Sequence, residues 1–174
     1  SLLDLIYPLN CPGCGMPPDQ PGTQICTSCR QQFLKLHPPL CPRCGSPVNM
    51  ASSHTACLEC FGETLYFNQA RSLFSYYEPR IRNCLHALKF NYQLGVAGEL
   101  GQYLAQEYHA YCASKKLDAI VPVPLHKKRH REREFNQAAL LAQPLSKKTG
   151  IPLREDLIHR IRYTYPQSKL SMPE

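Results

Sequence analysis

Eight of the ten cysteines fall in four C-x-x-C pairs: Cys11/Cys14, Cys26/Cys29, Cys41/Cys44 and Cys57/Cys60. A C-x-x-C turn points two thiolates at one tetrahedral ion. A second pair completes four sulfur ligands at about 2.3 Å, which is a structural zinc site with no open position for substrate. The gaps between successive pairs are 11, 11 and 12 residues, close to zinc-ribbon spacing if a little short. The unit also repeats: Cys11-Pro-Gly-Cys-Gly-Met-Pro17 returns as Cys41-Pro-Arg-Cys-Gly-Ser-Pro47, and Cys26-Thr-Ser-Cys29 returns as Cys57-Leu-Glu-Cys60. Repetition of a whole unit argues that each closes its own site. The expected sets are Cys11, Cys14, Cys26 and Cys29 on one ion and Cys41, Cys44, Cys57 and Cys60 on the other. Crossed pairing, first pair with third, is the alternative. Disulfides fit less well because adjacent C-x-x-C pairs rarely close structural bridges and no secretory context is visible. A redox role needs only one pair, in a βαβ setting that is missing here. His37 and His54 are bystanders to eight thiolates, and Cys84 and Cys112, in helical segments, are buried or inert thiols.

The second chemical signal is cationic. Lys127, Lys128, Arg129, Arg131 and Arg133 crowd seven positions between an apolar run, Asp118 to Val123, and a helical pattern that begins at Asn136. An apolar run of that length reads as a buried parallel strand. The basic stretch is therefore expected to be a loop at the C-terminal end of a strand, where α/β proteins bind ligands. Arginine forks and the N–H groups of a following helix suit phosphate or pyrophosphate. A solvated turn is the plainer reading. It leaves unexplained why a buried strand should feed straight into five cations.

The elements that must hold these residues follow from composition and period. Of 174 residues, 43% are hydrophobic and 19% charged, which is globular rather than disordered. Residues 1–65 carry the eight paired cysteines and few large apolar side chains, so the metal must supply the folding energy there. From residue 66 periodic patterns begin, giving domains over 1–65 and 66–174. Ala70 to Tyr77 reads as a strand, Pro79 to Phe90 and Leu94 to Ala113 as helices, and Asn136 to Thr149 as a helix capped by Asn136 and kinked or ended by Pro144. Leu157 to Arg162 reads as a further strand, and the alternation indicates an α/β sheet. The formal charge is +7, all of it in residues 115–174, which hold 13 basic and 6 acidic residues. Eight thiolates with two zinc ions would reduce the total to +3. A basic end points to an anionic partner. No apolar run approaches the roughly 18 residues of a membrane span. The apolar stretch Leu2 to Leu9 is broken by Asp4 and Pro8 and lacks a basic flank, so neither membrane insertion nor a signal peptide is expected. The first residue is Ser, which is expected of a processed N-terminus or a fragment.

Several motifs together resemble one family. The C-P-x-C-G knuckles, Leu-His-Ala-Leu-Lys-Phe over 85–90, Val-Pro-Val-Pro-Leu-His over 121–126, the Arg-Glu-Arg-Glu-Phe-Asn-Gln run over 131–137 and Thr-Tyr-Pro-Gln over 164–167 are, in this order, similar to the ComF family of ComFC- and GntX-like proteins. The resemblance covers nearly the whole chain. It implies a small double zinc ribbon followed by an α/β phosphoribosyltransferase-like domain with a mainly parallel sheet, here truncated at its C-terminus. It also implies a role in natural competence, DNA uptake or use of external DNA, in the cytoplasm or peripheral to the inner membrane. By the resemblance, Arg129, Arg133, Phe135, Asn136 and Gln137 lie on the pyrophosphate side, and Lys89 ends the first helix of the domain. Arg160, Arg162, Thr164 and Gln167 lie in the segment that covers the site.

Two departures stand out. Glu134 occupies a position where the family usually has Gly, so a different loop backbone and a weaker positive field are expected. The acidic Asp-Asp-x-x-Thr-Thr-Gly loop that grips ribose 5-phosphate is absent from the chain. The implied cofactors are two structural Zn²⁺, with Mg²⁺ and phosphoribosyl pyrophosphate in the complete protein. No residue is an evident general base. The alternative to a transferase is a non-catalytic nucleic-acid-binding protein, or an adaptor for DNA-uptake proteins. In that reading single-stranded DNA is the expected partner, and Tyr66, Tyr76, Tyr77, Tyr163 and Tyr165 are candidates to stack bases, although a core role suits most of them better.

Overall fold

A computed structural model describes residues 10–48, 57–112 and 115–164, and the chain divides into two compact units, Ser1–His86 and Ala87–Glu174. In the first unit the repeated knuckles fold alike because the same backbone bonds close both. The Cys11 N–H donates to Met16 O at 2.8 Å and the Gly15 N–H to Cys11 O at 2.7 Å; the Cys41 N–H donates to Ser46 O at 2.8 Å and the Gly45 N–H to Cys41 O at 3.0 Å. This turn puts Gly15 at φ 79° and Gly45 at φ 76°, a conformation open to glycine at little cost. Gly45 has a second constraint, since a Cβ there would lie 2.8 Å from the Ala70 carbonyl oxygen. The short helix α1 (Thr27–Gln31) completes the first site and is capped by Cys26, whose Sγ accepts from the Cys29 N–H at 3.4 Å.

The stretch expected to be a strand over 70–77 is extended only where it pairs. The Leu36 N–H donates to Leu73 O and the Ser75 N–H to Leu34 O, both at 2.9 Å, which makes an antiparallel bridge between Lys35 and Phe74. Phe74 meets Phe33 edge-on at 5.3 Å. Arg71 Nη1 reaches the carbonyl oxygens of Ala70, Pro42 and Cys41 at 2.7, 3.1 and 3.3 Å and so braces the third knuckle from behind. Composition shifts after the last cysteine pair, at 65/66, whereas the first compact unit continues to His86.

Helix α2 (Pro79–Phe90) starts where the sequence dictates. Pro79 at the first helical position forfeits an N–H that would have had no partner. The buried Glu78 precedes it, with Oε2 accepting from the Ile81 N–H and Oε1 from Arg80 Nη1, each at 2.9 Å. Burial alone would raise the Glu78 carboxyl. The backbone N–H groups of Ile81 and Arg80 and the Arg80 guanidinium outweigh it and hold the carboxyl below its ordinary value. A carboxyl lowered in the folded state lends stability that is complete above its unfolded value and lost as pH falls through the folded one. Glu78→Ala should therefore cost about 1 kcal/mol near neutral pH. In thermal unfolding of the zinc-loaded protein, the gap from the parent should narrow as pH falls into the carboxylate range.

In the second unit α3 (Gly95–Cys112) packs on α5 (Gln137–Thr149). The buried hydrophobic positions are Ala87, Leu88, Val96, Ala97, Leu100, Ala105, Ala139 and Ala142, and the small side chains among them let backbones approach. A Cβ at Gly101 would lie 2.5 Å from the Leu141 carbonyl oxygen and 2.8 Å from Pro144 Cγ. Pro144 does not end α5, which runs on to Thr149 and closes at Gly150 with φ 74°. No helix among the described residues is long and apolar enough to cross a membrane.

Two expectations change here. The mainly parallel sheet is reduced, among the described residues, to two parallel bridges, Ile120 with Leu153 and His126 with Arg160. The Ile120 N–H donates to Pro152 O and the Arg154 N–H to Ile120 O, both at 2.9 Å. Pro122 and Pro124 then deny the ladder its next donors, so the strands read over 118–123 and 157–162 are single pairings. The basic stretch is not a loop but a two-turn helix, α4 (Lys127–Arg133).

Candidate metal centres and a cation cluster

The eight paired thiols form two clusters, Cys11, Cys14, Cys26 and Cys29 in one and Cys41, Cys44, Cys57 and Cys60 in the other, with the sulfurs of each set within 4.8 Å of one another. This is the sequential grouping, not the crossed one. Four sulfurs at about 2.3 Å from a tetrahedral zinc stand about 3.8 Å apart. Cys14 and Cys26 lie 3.7 Å apart and Cys44 and Cys57 3.5 Å apart, so the donor set fits the ion. Backbone N–H groups already favour thiolate in each cluster. Burial opposes ionisation of Cys11, yet the N–H groups of Cys26, Cys14 and Gly13 hold it near 7. Those of Cys57, Cys44 and Arg43 bring Cys41 down to about 6 against its burial. Burial, then crowding by the neighbouring sulfurs, pushes Cys29 up, and it pushes Cys60 up to about 12. The Ser46 hydroxyl lowers Cys44 as well, so each cluster favours ionisation of some thiols and sheds further protons when metal arrives.

In the second unit α4 sorts the five cations by face. Its N-cap is His126, whose Nδ1 accepts from the Lys128 N–H at 3.2 Å. Its C-cap is Glu134, at φ 65° with its N–H on His130 O. The backbone here is the left-handed one that a glycine would take, so the expected difference at this position is one of strain and charge rather than of course. Arg129 and Arg133, four residues apart, are half-buried, whereas Lys127, Lys128 and Arg131 are exposed. Lys89, at the end of α2, is held below the ordinary lysine value by burial first and by Arg133 second. Arg133 is lowered by burial, then by Arg129. None of the three forms an ion pair with a carboxylate among the described residues.

The other expected site residues are placed unequally. Arg133 Nη1 donates to Gln137 Oε1 at 3.1 Å and its guanidinium lies 5.2 Å from the Phe90 ring centre. Asn136 caps α5 through the Ala138 N–H and ties it to the Val123 carbonyl at 3.2 Å, so Gln137 positions Arg133 while Asn136 fixes the start of α5. Phe135 meets Tyr92 edge-on at 5.8 Å. Tyr163 sits against His126, with Lys128 Nζ 5.0 Å and Arg129 Cζ 5.7 Å from its ring centre, so the chain at Tyr163 rests on α4. Arg160 donates to Thr164 Oγ1 at 2.6 Å and lines a cavity of about 670 Å³ with His126, Lys127, His130 and His159. Arg162 is exposed. Gln167, Tyr165 and His54 lie outside the described residues. The carboxylates that Mg²⁺ requires are not gathered among the described residues, where the cysteine sets are the clusters able to hold an ion. Sequence reasoning missed the histidines of the cavity and the roles of Phe90, Tyr92 and Arg71.

Comparison with known proteins gives a consistent outline. The family model described as "Double zinc ribbon domain" matches residues 2–64. The chain is 34% identical to the DNA utilization protein YhgH of Salmonella typhi over 170 residues, which is 96% of this chain and 73% of that one. It is 30% identical to competence protein ComFC of Bacillus subtilis over 77% of this chain and 56% of that one. It is 31% identical to competence protein F of Haemophilus influenzae over 84% of this chain and 63% of that one. No solved structure matches the chain.

Proposed function

The chain belongs to the ComF family of competence and DNA-utilization proteins, and from that premise we propose that it serves the uptake or use of external DNA, holding phosphate groups of a single strand on Lys89, Arg129 and Arg133. The observation that carries this reading is the half-buried grouping of three cations, with no carboxylate paired to them among the described residues. Partial burial strengthens each charge–phosphate contact, and the like charges repel one another until an anion arrives. The cysteine clusters hold two structural zinc ions that fold the ribbons and take no part in chemistry.

The second reading is a phosphoribosyltransferase-like domain in which the same cations take the pyrophosphate of phosphoribosyl pyrophosphate and the Arg160–Thr164 segment covers it. The two parallel bridges beside α4 favour it. Titrating the zinc-loaded protein with single-stranded DNA across salt concentrations, and separately with phosphoribosyl pyrophosphate with and without Mg²⁺, separates the readings. DNA affinity that falls steeply with salt, with no Mg²⁺-dependent uptake of the sugar phosphate, is the expected result.

A further inference from the structure

Two non-glycine residues among those described have a left-handed backbone, Tyr92 at φ 54° and Glu134 at φ 65°. They belong to one place. The Tyr92 hydroxyl donates to the Glu132 carbonyl at 3.3 Å, and its ring packs edge-on against Phe135. Tyr92 lies two residues beyond the end of α2, where glycine takes this conformation almost freely and a tyrosine does so under strain. Strain of this kind persists where the surrounding contacts hold it in place, and it clusters at functional sites. The ring stays open to solvent, with Tyr92 53% and Phe90 59% exposed. The Arg133 guanidinium lies over the Phe90 ring. Arg133 is a neighbouring like charge to Lys89, and Arg129 to Arg133, with the Glu132 carboxylate acting on Arg133 in the opposite sense.

Exposed aromatic residues beside clustered cations are what an unpaired strand recognises: every base offers a π-face to a ring, and every phosphate a charge to a cation. A duplex hides its base faces, and a small phosphate ester uses the cations but not two separate rings. A protein partner of matching charge would meet the cations but gains less from flat, open rings. We propose that Phe90 and Tyr92 form a stacking platform for unpaired bases of a single-stranded nucleic acid whose phosphates lie on Lys89, Arg129 and Arg133. For its cations this rests on the DNA reading given above; for its rings it stands on the strain and exposure of Tyr92 and Phe90.

The test uses the full zinc-loaded chain, fluorescence anisotropy and a labelled oligothymidylate of about a dozen nucleotides. Phe90→Ala and Tyr92→Gly should each weaken binding roughly five- to a hundredfold, with the salt slope unchanged because no phosphate contact is lost. Tyr92→Gly should melt within a few degrees of the parent, since released backbone strain offsets the lost ring contact, so weaker binding is not unfolding. An abasic strand of equal length should bind as weakly to the parent as the oligothymidylate binds to the ring variants. If both ring variants, or the abasic strand, bind like the parent pair while Lys89→Ala/Arg133→Ala binds weakly, the platform is overturned and the phosphate site stands. If Lys89→Ala/Arg133→Ala also binds like the parent, the phosphate reading falls, and the platform with it.

Discussion

Stripping zinc from the reduced protein should release two ions per chain and unfold the unit Ser1–His86. Apart from cysteine, the large apolar side chains buried among the described residues of that unit are Ile25, Phe33 and Ile81. A structural zinc site contributes about 10–16 kcal/mol at neutral pH, as much as or more than the whole net stability of about 5–15 kcal/mol typical of a domain. The sign of the pH dependence follows from the clusters. Cys29 and Cys60 are pushed up in the absence of metal and must lose protons to bind it, so zinc affinity should weaken as pH falls. Cys26→Ser should remove one ion and loosen the first ribbon, leaving the second set, Cys41, Cys44, Cys57 and Cys60, loaded. Release of one ion or none from the parent on chelation, or near-ultraviolet circular dichroism unchanged by it, would contradict this.

Where the sequence could be read, a single physical signal dominated. The two thiol sets follow from an internal repeat, because each repeated unit closes its own turn with the same backbone bonds. Helix α2 follows from apolar spacing between Ile81 and Leu88 with Pro79 in front, and α5 from its asparagine cap. Helix α4 was illegible for a reason that is itself informative. It has no apolar stripe, it sets like charges four residues apart at Lys127/Arg131 and Arg129/Arg133, and its caps are His126 and Glu134 rather than the usual residues. The propensity of Lys, Arg and Glu favours a helix here, but the like-charge pairs oppose it and no apolar period announces it. The strands were over-read because apolar runs suggest them, while Pro122 and Pro124 withdraw the donors a ladder needs. Tyr92 carried no sequence signal, since only its backbone conformation sets it apart.

Replacing both Arg129 and Arg133 by alanine should lower affinity for single-stranded DNA at least about tenfold, since charge-assisted hydrogen bonds are worth about 1.5–3 kcal/mol each. Their half-burial is what makes these two matter more than Lys127, Lys128 and Arg131, which face solvent on the same helix. Removing two of the exposed cations should change affinity less. Loss of Arg133 also removes its contacts with Gln137 and the Phe90 ring, so a stability control accompanies the variant.

The most direct measurement is the slope of log affinity for single-stranded DNA against log salt, compared between the parent and the Arg129→Ala/Arg133→Ala variant. Each single-strand phosphate contact contributes about 0.7 to that slope, so the variant's should be flatter by about 1.4. Equal slopes and equal affinities for parent and variant would contradict the assignment of DNA phosphates to this face of α4.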